Sequence, residues 1–172
     1  MSFPIRNSVR VLLINDKKEI LLICAEDYKT TTIDGKYRGR YWYTIGGKIE
    51  SNESVQEAAI REIYEETGII KEELELGPIV WFGEYDLILS SIKTHNKQQF
   101  MVVKTPRNNV TLDYLTPEEK VVIKDISWFS LEKIKNSSEI IYPIVLPDYL
   151  GDILDEKYPE KPFEIDLAKN HF

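Results

Sequence analysis

Three glutamates, Glu62, Glu65 and Glu66, stand at i, i+3 and i+4, with Arg61 directly before them and Glu53 a short distance upstream. With Val55 at zero on a helical wheel of about 100° per residue, Ala58, Ala59 and Ile63 fall near roughly 300°, 40° and 80°. They mark the arc that faces a core. On the same wheel Glu62, Glu65 and Glu66 fall at roughly 340°, 280° and 20°, within or at the edge of that arc. Ordinary solvated glutamates belong on the opposite side. Three anions in the last turn of a helix also oppose its macrodipole, at about 0.3 to 1 kcal/mol each when exposed, before their mutual repulsion is counted. A bound cation removes both penalties, and clustered carboxylate oxygens are the hard ligands that Mg²⁺ or Mn²⁺ prefers. The chemistry to expect is metal-assisted.

Several elements must position that cluster. Ser54 and Glu57 form an S-x-x-E capping box, and Gly68 stands where a left-handed C-terminal cap belongs, so the spacing predicts a helix over residues 55–67. Residues 9–14 and 19–25 are rich in Val, Ile and Leu around the turn-like Asn15-Asp16-Lys17-Lys18 and read as a hairpin. Residues 27–40 read as a loop leading into a strand at 41–45, which Gly46-Gly47 ends. Further strands are expected at 79–89, 98–104 and 121–129, with a polar loop at 108–120. Short helices are expected at 131–135 and 146–156, and the tail 158–172 either packs on the domain or frays. Strands with a central and a terminal helix fit a mixed sheet covered by helices.

Gly47, Glu53, Arg61-Glu62-Ile63, Glu65-Glu66 and Gly68-Ile69 fill every specified position of G-x5-E-x7-R-E-U-x-E-E-x-G-U. The chain therefore resembles the Nudix hydrolase family, and the flanking strands and Trp128-Phe129-Ser130 resemble it too. The resemblance implies an α/β fold, an α/β/α sandwich with a mixed β-sheet, in which a loop-helix-loop holds Mg²⁺ (or Mn²⁺ in its place). It implies hydrolysis of the diphosphate linkage in a nucleoside diphosphate joined to another moiety: a nucleoside triphosphate, nucleotide sugar, ADP-ribose or dinucleoside polyphosphate. Carried over position by position, Glu65 and Glu66 resemble metal ligands, and Glu62 a further ligand or the base that activates water. Gly46 resembles the residue whose carbonyl completes the metal shell. Arg61 resembles the residue that orients the glutamates, and Glu53 its partner or an aid to the metal; an anion just before a helix N-terminus is also favourable in itself. Lys48 is placed to contact a phosphate oxygen or to stay solvated. Glu118 and Glu119 are candidates for an additional carboxylate, by position alone. Tyr85 sits at a spacing that resembles dinucleoside polyphosphate hydrolases, whereas Gly47-Lys48-Ile49-Glu50 resembles members that cleave nucleoside triphosphates.

Trp42, Tyr43, Trp81, Phe82 and Tyr85 offer base-stacking surface, although aromatics in strands more often fill a core. The 172-residue chain has 22 Lys and Arg against 29 Asp and Glu, a net charge of -7. That balance disfavours an extended nucleic-acid surface but not a small phosphorylated ligand brought in with a cation. The apolar runs are strand-length, too short for a membrane span, and the first residues lack a secretory layout. One cytoplasmic domain over residues 1–172 is expected, with a homodimer left open. The lone Cys24 lies in an apolar run and reads as a buried thiol. Two other classes compete. A non-catalytic nucleotide-sensing module of the same fold would be expected to have lost box glutamates, and all are present. The related isomerase chemistry leans on a cysteine, and Cys24 is poorly placed for it.

Overall fold

The apolar runs of the first strands are buried on both faces, so helices must cover both sides of the sheet they form. A computed structural model describes residues 3–33 and 39–169. Among these, β1 (Ile5–Ile14), β2 (Ile20–Asp27), β3 (Thr31–Thr32) and β4 (Gly39–Lys48) precede helix α1 (Val55–Thr67). The long pair β5 (Glu75–Leu89) and β6 (Ile92–Lys104) follows. Then come α2 (Pro117–Val122), β7 (Ile123–Phe129), α3 (Leu131–Asn136), α4 (Leu146–Leu154) and the short β8 (Phe163–Glu164). The strands form one mixed sheet in the order β3-β5-β6-β1-β4-β2-β7, with β8 beside β5. β1 runs parallel to β6 and antiparallel to β4.

Alternation sorts the core by face. Val9, Val11, Leu13, Leu21 and Ile23 pack with Ala58, Ala59 and Ile63 of α1. Leu12, Ile14, Ile20 and Leu22 pack with Ile134 of α3 and Leu146, Leu150 and Ile153 of α4. The result is the three-layered α/β/α arrangement. Cys24 is fully buried in the second core, where loss of solvent pushes its thiol up to about 11. No helix among the described residues is long and apolar enough to cross a membrane.

Helix α1 begins and ends as the sequence dictates. Ser54 and Glu57 close the reciprocal capping box, and Gly68 takes φ 77° while its N–H donates to the Tyr64 carbonyl at 2.9 Å. Other expectations need correction. The first two strands pair only at Ile14 and Ile20; β4 joins β2 through residues 39–44 and β1 through 45–48, so no regular hairpin forms. Gly46-Gly47 lies inside β4, opposite Arg10 and Val9 of β1, because main-chain pairing needs no side chain. The expected loop at 27–40 contributes β3, and its residues 34–38 lie outside the described residues. β6 begins well before residue 98, with Thr94 and Asn96 turned inward between exposed Lys93 and Lys97: the alternation is there, in polar residues. α2 occupies the end of the expected loop at 108–120 and the start of the strand expected at 121. The tail packs. β8 pairs with Trp81 and Phe82, and Ile165 and Leu167 are buried against the second core.

Candidate active site

One face of α1 delivers the acidic cluster to the end of β4. Glu62 and Glu66 are buried, 9% and 4% exposed, while the Glu65 side chain is 42% exposed at the edge of the same face. Glu66 accepts a hydrogen bond from the Gly46 N–H at 2.9 Å. The Glu62 carboxylate lies so close over Gly47 that a Cβ there would overlap it. Gly46, at φ 142°, likewise leaves no room for a Cβ against the Val9 carbonyl. The pair of glycines lets strand backbone and helix carboxylates come into direct contact.

Arg61 organises the outer side. Its Nε and Nη2 take both oxygens of Glu53 at 2.7 and 2.9 Å, and Nη1 donates to Glu62 at 2.8 Å and Glu65 at 3.4 Å. Nη2 also donates to the Lys48 carbonyl at 2.9 Å, tying the helix to the β4–α1 loop. The guanidinium, joined by the Glu50 N–H, holds the Glu53 carboxyl down at about 2. Glu66 behaves oppositely. Burial, then the adjacent Glu62 charge, push its carboxyl well above the ordinary range, with Arg10 and the Gly46 N–H pulling the other way. Burial, and then Glu62, also raise Glu65.

Glu62, Glu66, Gly46 and Gly47 line a cavity of about 610 Å³. Tyr43, Tyr85 and Glu119 line it as well. Glu119 is the third residue of α2, where its carboxylate accepts the Thr116 N–H at 3.0 Å. Of the other residues singled out in the sequence, Glu118 is exposed outside the cavity, and Lys48 is exposed and contributes its carbonyl to Arg61. Trp42 and Trp81 belong to the core, while Phe82 is 40% exposed.

Arg6 and Arg10 line the same cavity, and the sequence reading passed over both. On β1 they share a face at i and i+4, a period-2 signal that was present in the sequence. Arg10 donates to the Thr44 carbonyl at 2.6 Å and lies over the Tyr43 ring, 5.6 Å from its centroid. Its Nε is buried with no hydrogen-bond partner among the described residues, a state that costs about 1–3 kcal/mol or more for a charged group. Burial, then the Arg10 charge, lower the basicity of Arg6.

A hard divalent cation suits this donor set. Two buried carboxylates press together with few positive neighbours, and a cation between them supplies what burial removes. Among the described residues no group of three or more Asp, Glu, His or Cys side chains is arranged to hold a metal as it stands, and Arg61 donates to both Glu62 and Glu65.

A family model described as NUDIX domain matches residues 4–148. Among solved structures, a MutT protein from Methanosarcina mazei Go1 is 27% identical, with 91% of this chain and 97% of that chain covered at a TM-score of 0.60. The dihydroneopterin triphosphate pyrophosphohydrolase of E. coli is 15% identical, with coverage of 89% and 99% and a TM-score of 0.60. An ADP-ribose pyrophosphatase from Streptococcus suis is 15% identical, with coverage of 93% and 98% and a TM-score of 0.57. These last two likenesses speak to fold alone.

Proposed function

Because this chain belongs to the Nudix family, we propose that it is a divalent-cation-dependent pyrophosphohydrolase acting on a nucleoside diphosphate joined to another moiety. The observation that carries the reading is the buried Glu62–Glu66 pair, seated on Gly46-Gly47 in the wall of a cavity large enough for a nucleotide. Glu62 and Glu66 would hold the cation, with the Gly46 backbone and Glu65 as the further ligands the resemblance implies. When bound, the cation offsets phosphate charge and lowers the pKa of a water in its shell. Arg61 fixes Glu62 through one oxygen and leaves the other for the cation or for a proton from water. Glu53 keeps Arg61 in place by taking two of its donors. Glu119, in the same lining with one oxygen on the Thr116 N–H, is the further carboxylate whose other oxygen is available to the water. Tyr43 and Tyr85 shape the walls, and no side-chain nucleophile is needed.

The test is release of phosphate or pyrophosphate from nucleoside triphosphates, ADP-ribose, nucleotide sugars and dinucleoside polyphosphates, with Mg²⁺ or Mn²⁺. Turnover of at least one class is expected, with Glu66→Gln and Glu65→Gln each lowering it by about a hundredfold or more. Near-wild-type rates in both variants at saturating Mg²⁺ would remove those residues from the site. Tight nucleotide binding without turnover would favour a sensing module.

A further inference from the structure

Arg6 and Arg10 are set apart from the other described arginines. Arg40, Arg61 and Arg107 are each salt-bridged to a glutamate, whereas neither Arg6 nor Arg10 has a carboxylate within salt-bridge distance among the described residues. In a chain with 29 acidic residues, two such guanidiniums on one cavity wall are conspicuous. The cavity's acids are committed elsewhere: Asp27 accepts from the Thr30 hydroxyl at 2.6 Å, Asp86 contacts His95 at 2.6 Å, and Glu119 caps α2. Glu62 and Glu66 form the cation's side of the cavity. Arg6 reaches only the Ser8 hydroxyl at 3.3 Å, and Arg10 spends one donor on Thr44 while its Nε stays unpartnered. Two like charges in a partly apolar wall repel, and although Glu62 acts on Arg6 and Arg10 acts on Glu66 at longer range, no carboxylate among the described residues pairs with either. A bound anion would.

We propose that Arg6 and Arg10 form the receptor for a phosphate group that the cation does not hold, and that the substrate is therefore of the nucleoside triphosphate class. This rests on the reading of Glu62 and Glu66 as the hydrolytic centre. The charge count separates a triphosphate from a diphosphate esterified at both ends. A diphosphate esterified at both ends carries one charge per phosphate, which one divalent cation offsets. A terminal phosphate adds about two negative charges above its second pKa near 6, and two guanidiniums match them. Arg10 places this receptor beside the acidic pair, since it lies against both Gly46 and the Tyr43 ring. The planar fork of arginine suits phosphate oxygens in a way a lysine does not reproduce.

The experiment pairs calorimetry of the full chain with inorganic pyrophosphate, in chelator-treated buffer and in Mg²⁺, with kcat/KM for nucleoside triphosphates, ADP-ribose and UDP-glucose. The proteins are wild type, Arg6→Gln, Arg10→Gln and Arg10→Lys. Pyrophosphate affinity is expected to fall at least tenfold in each Gln variant, with Arg10→Lys restoring only part of it. The preference for a triphosphate over ADP-ribose is expected to fall by a similar factor, chiefly through KM. Should Arg10→Gln fail to fold, Arg6→Gln carries the test. Unchanged pyrophosphate affinity in a folded variant, or a wild-type preference for ADP-ribose or UDP-glucose over every triphosphate, overturns the proposal. Robust turnover that ignores the arginines would sink this inference and leave the hydrolase reading standing. Arginine-dependent pyrophosphate binding with no nucleotide turned over would do the reverse for the receptor and the hydrolase.

Discussion

Glu53, just before helix α1, and Glu66, in its last turn, answer pH in opposite senses. The Glu53 carboxyl is held at about 2, below its unfolded value, so its contribution to stability is complete above about 4.5 and disappears as pH falls toward 2. Glu53→Gln is expected to cost about 1 kcal/mol at pH 7, a gap between urea midpoints that narrows steadily below about pH 4.5. Glu66 is raised by burial and by Glu62, so the folded protein favours its protonated form. The penalty for ionising it grows as pH climbs from the ordinary carboxylate value through the elevated folded one. In chelator the melting temperature of the wild type should therefore fall over that climb, and Glu66→Gln should match or exceed it at neutral pH. Mg²⁺ at a hundredfold excess over Kd adds about 2.7 kcal/mol to a protein that binds it only when folded. Wild type should show that gain and Glu66→Gln little of it; equal metal shifts in the two proteins would defeat the idea. Much of this was legible on the helical wheel, which put Glu62 and Glu66 inside the apolar arc and Glu65 at its edge. The two cavity arginines share a face in the sequence, but Arg6 lies before the strand expected at 9–14, and an arginine on a strand ordinarily reads as solvated.

Helix α2 shows how an element escapes a sequence reading. Thr116, Pro117 and Glu119 repeat the signature that located α1, and the structure closes the same reciprocal cap, with Thr116 accepting the Glu119 N–H at 3.2 Å. Six residues with no buried side chain leave no apolar stripe, so overall polarity suggested a loop. Thr116→Ala removes the hydroxyl that accepts the Glu119 N–H but keeps the Thr116 N–H that the Glu119 carboxylate accepts, so it is expected to cost about 0.5–2 kcal/mol with turnover kept, whereas Glu119→Gln is expected to lower turnover, with Mg²⁺ affinity measured alongside. Unaltered kinetics in Glu119→Gln would confine Glu119 to capping. The glycines of β4 were legible as a sharp local feature but not as strand, since pairing with β1 depends on a partner far away in sequence. What periodicity reports is the local face of an element; which strand lies beside it is decided by the whole sheet.

At the scale of the molecule, residues 167–169 of the tail form part of the cavity wall. Gly83 of β5 allows Leu167 and the Ile165 carbonyl to approach where a Cβ would clash, and Leu167 belongs at once to the core and to the cavity wall. Leu167→Ala is expected to lower stability by about 2–5 kcal/mol and to raise KM, read by denaturant titration and steady-state kinetics. A stability loss with KM unchanged would make this residue packing alone. The two-residue β8 carries no periodic signal of its own, which is why the tail stayed ambiguous in the sequence. β1 has a different consequence. It lies between β4 and the parallel β6, whose last residue is Lys104. On the ribosome, β1 and β4 are made early, and the apolar stretch through Ile14 then waits with one edge bare while residues 49–104 are added. At about 5–20 residues per second that wait lasts several seconds, and an unpaired apolar edge is what chaperones hold and aggregates recruit. The rate of translation through the β5–β6 arm therefore bears on how much of this protein reaches its folded state.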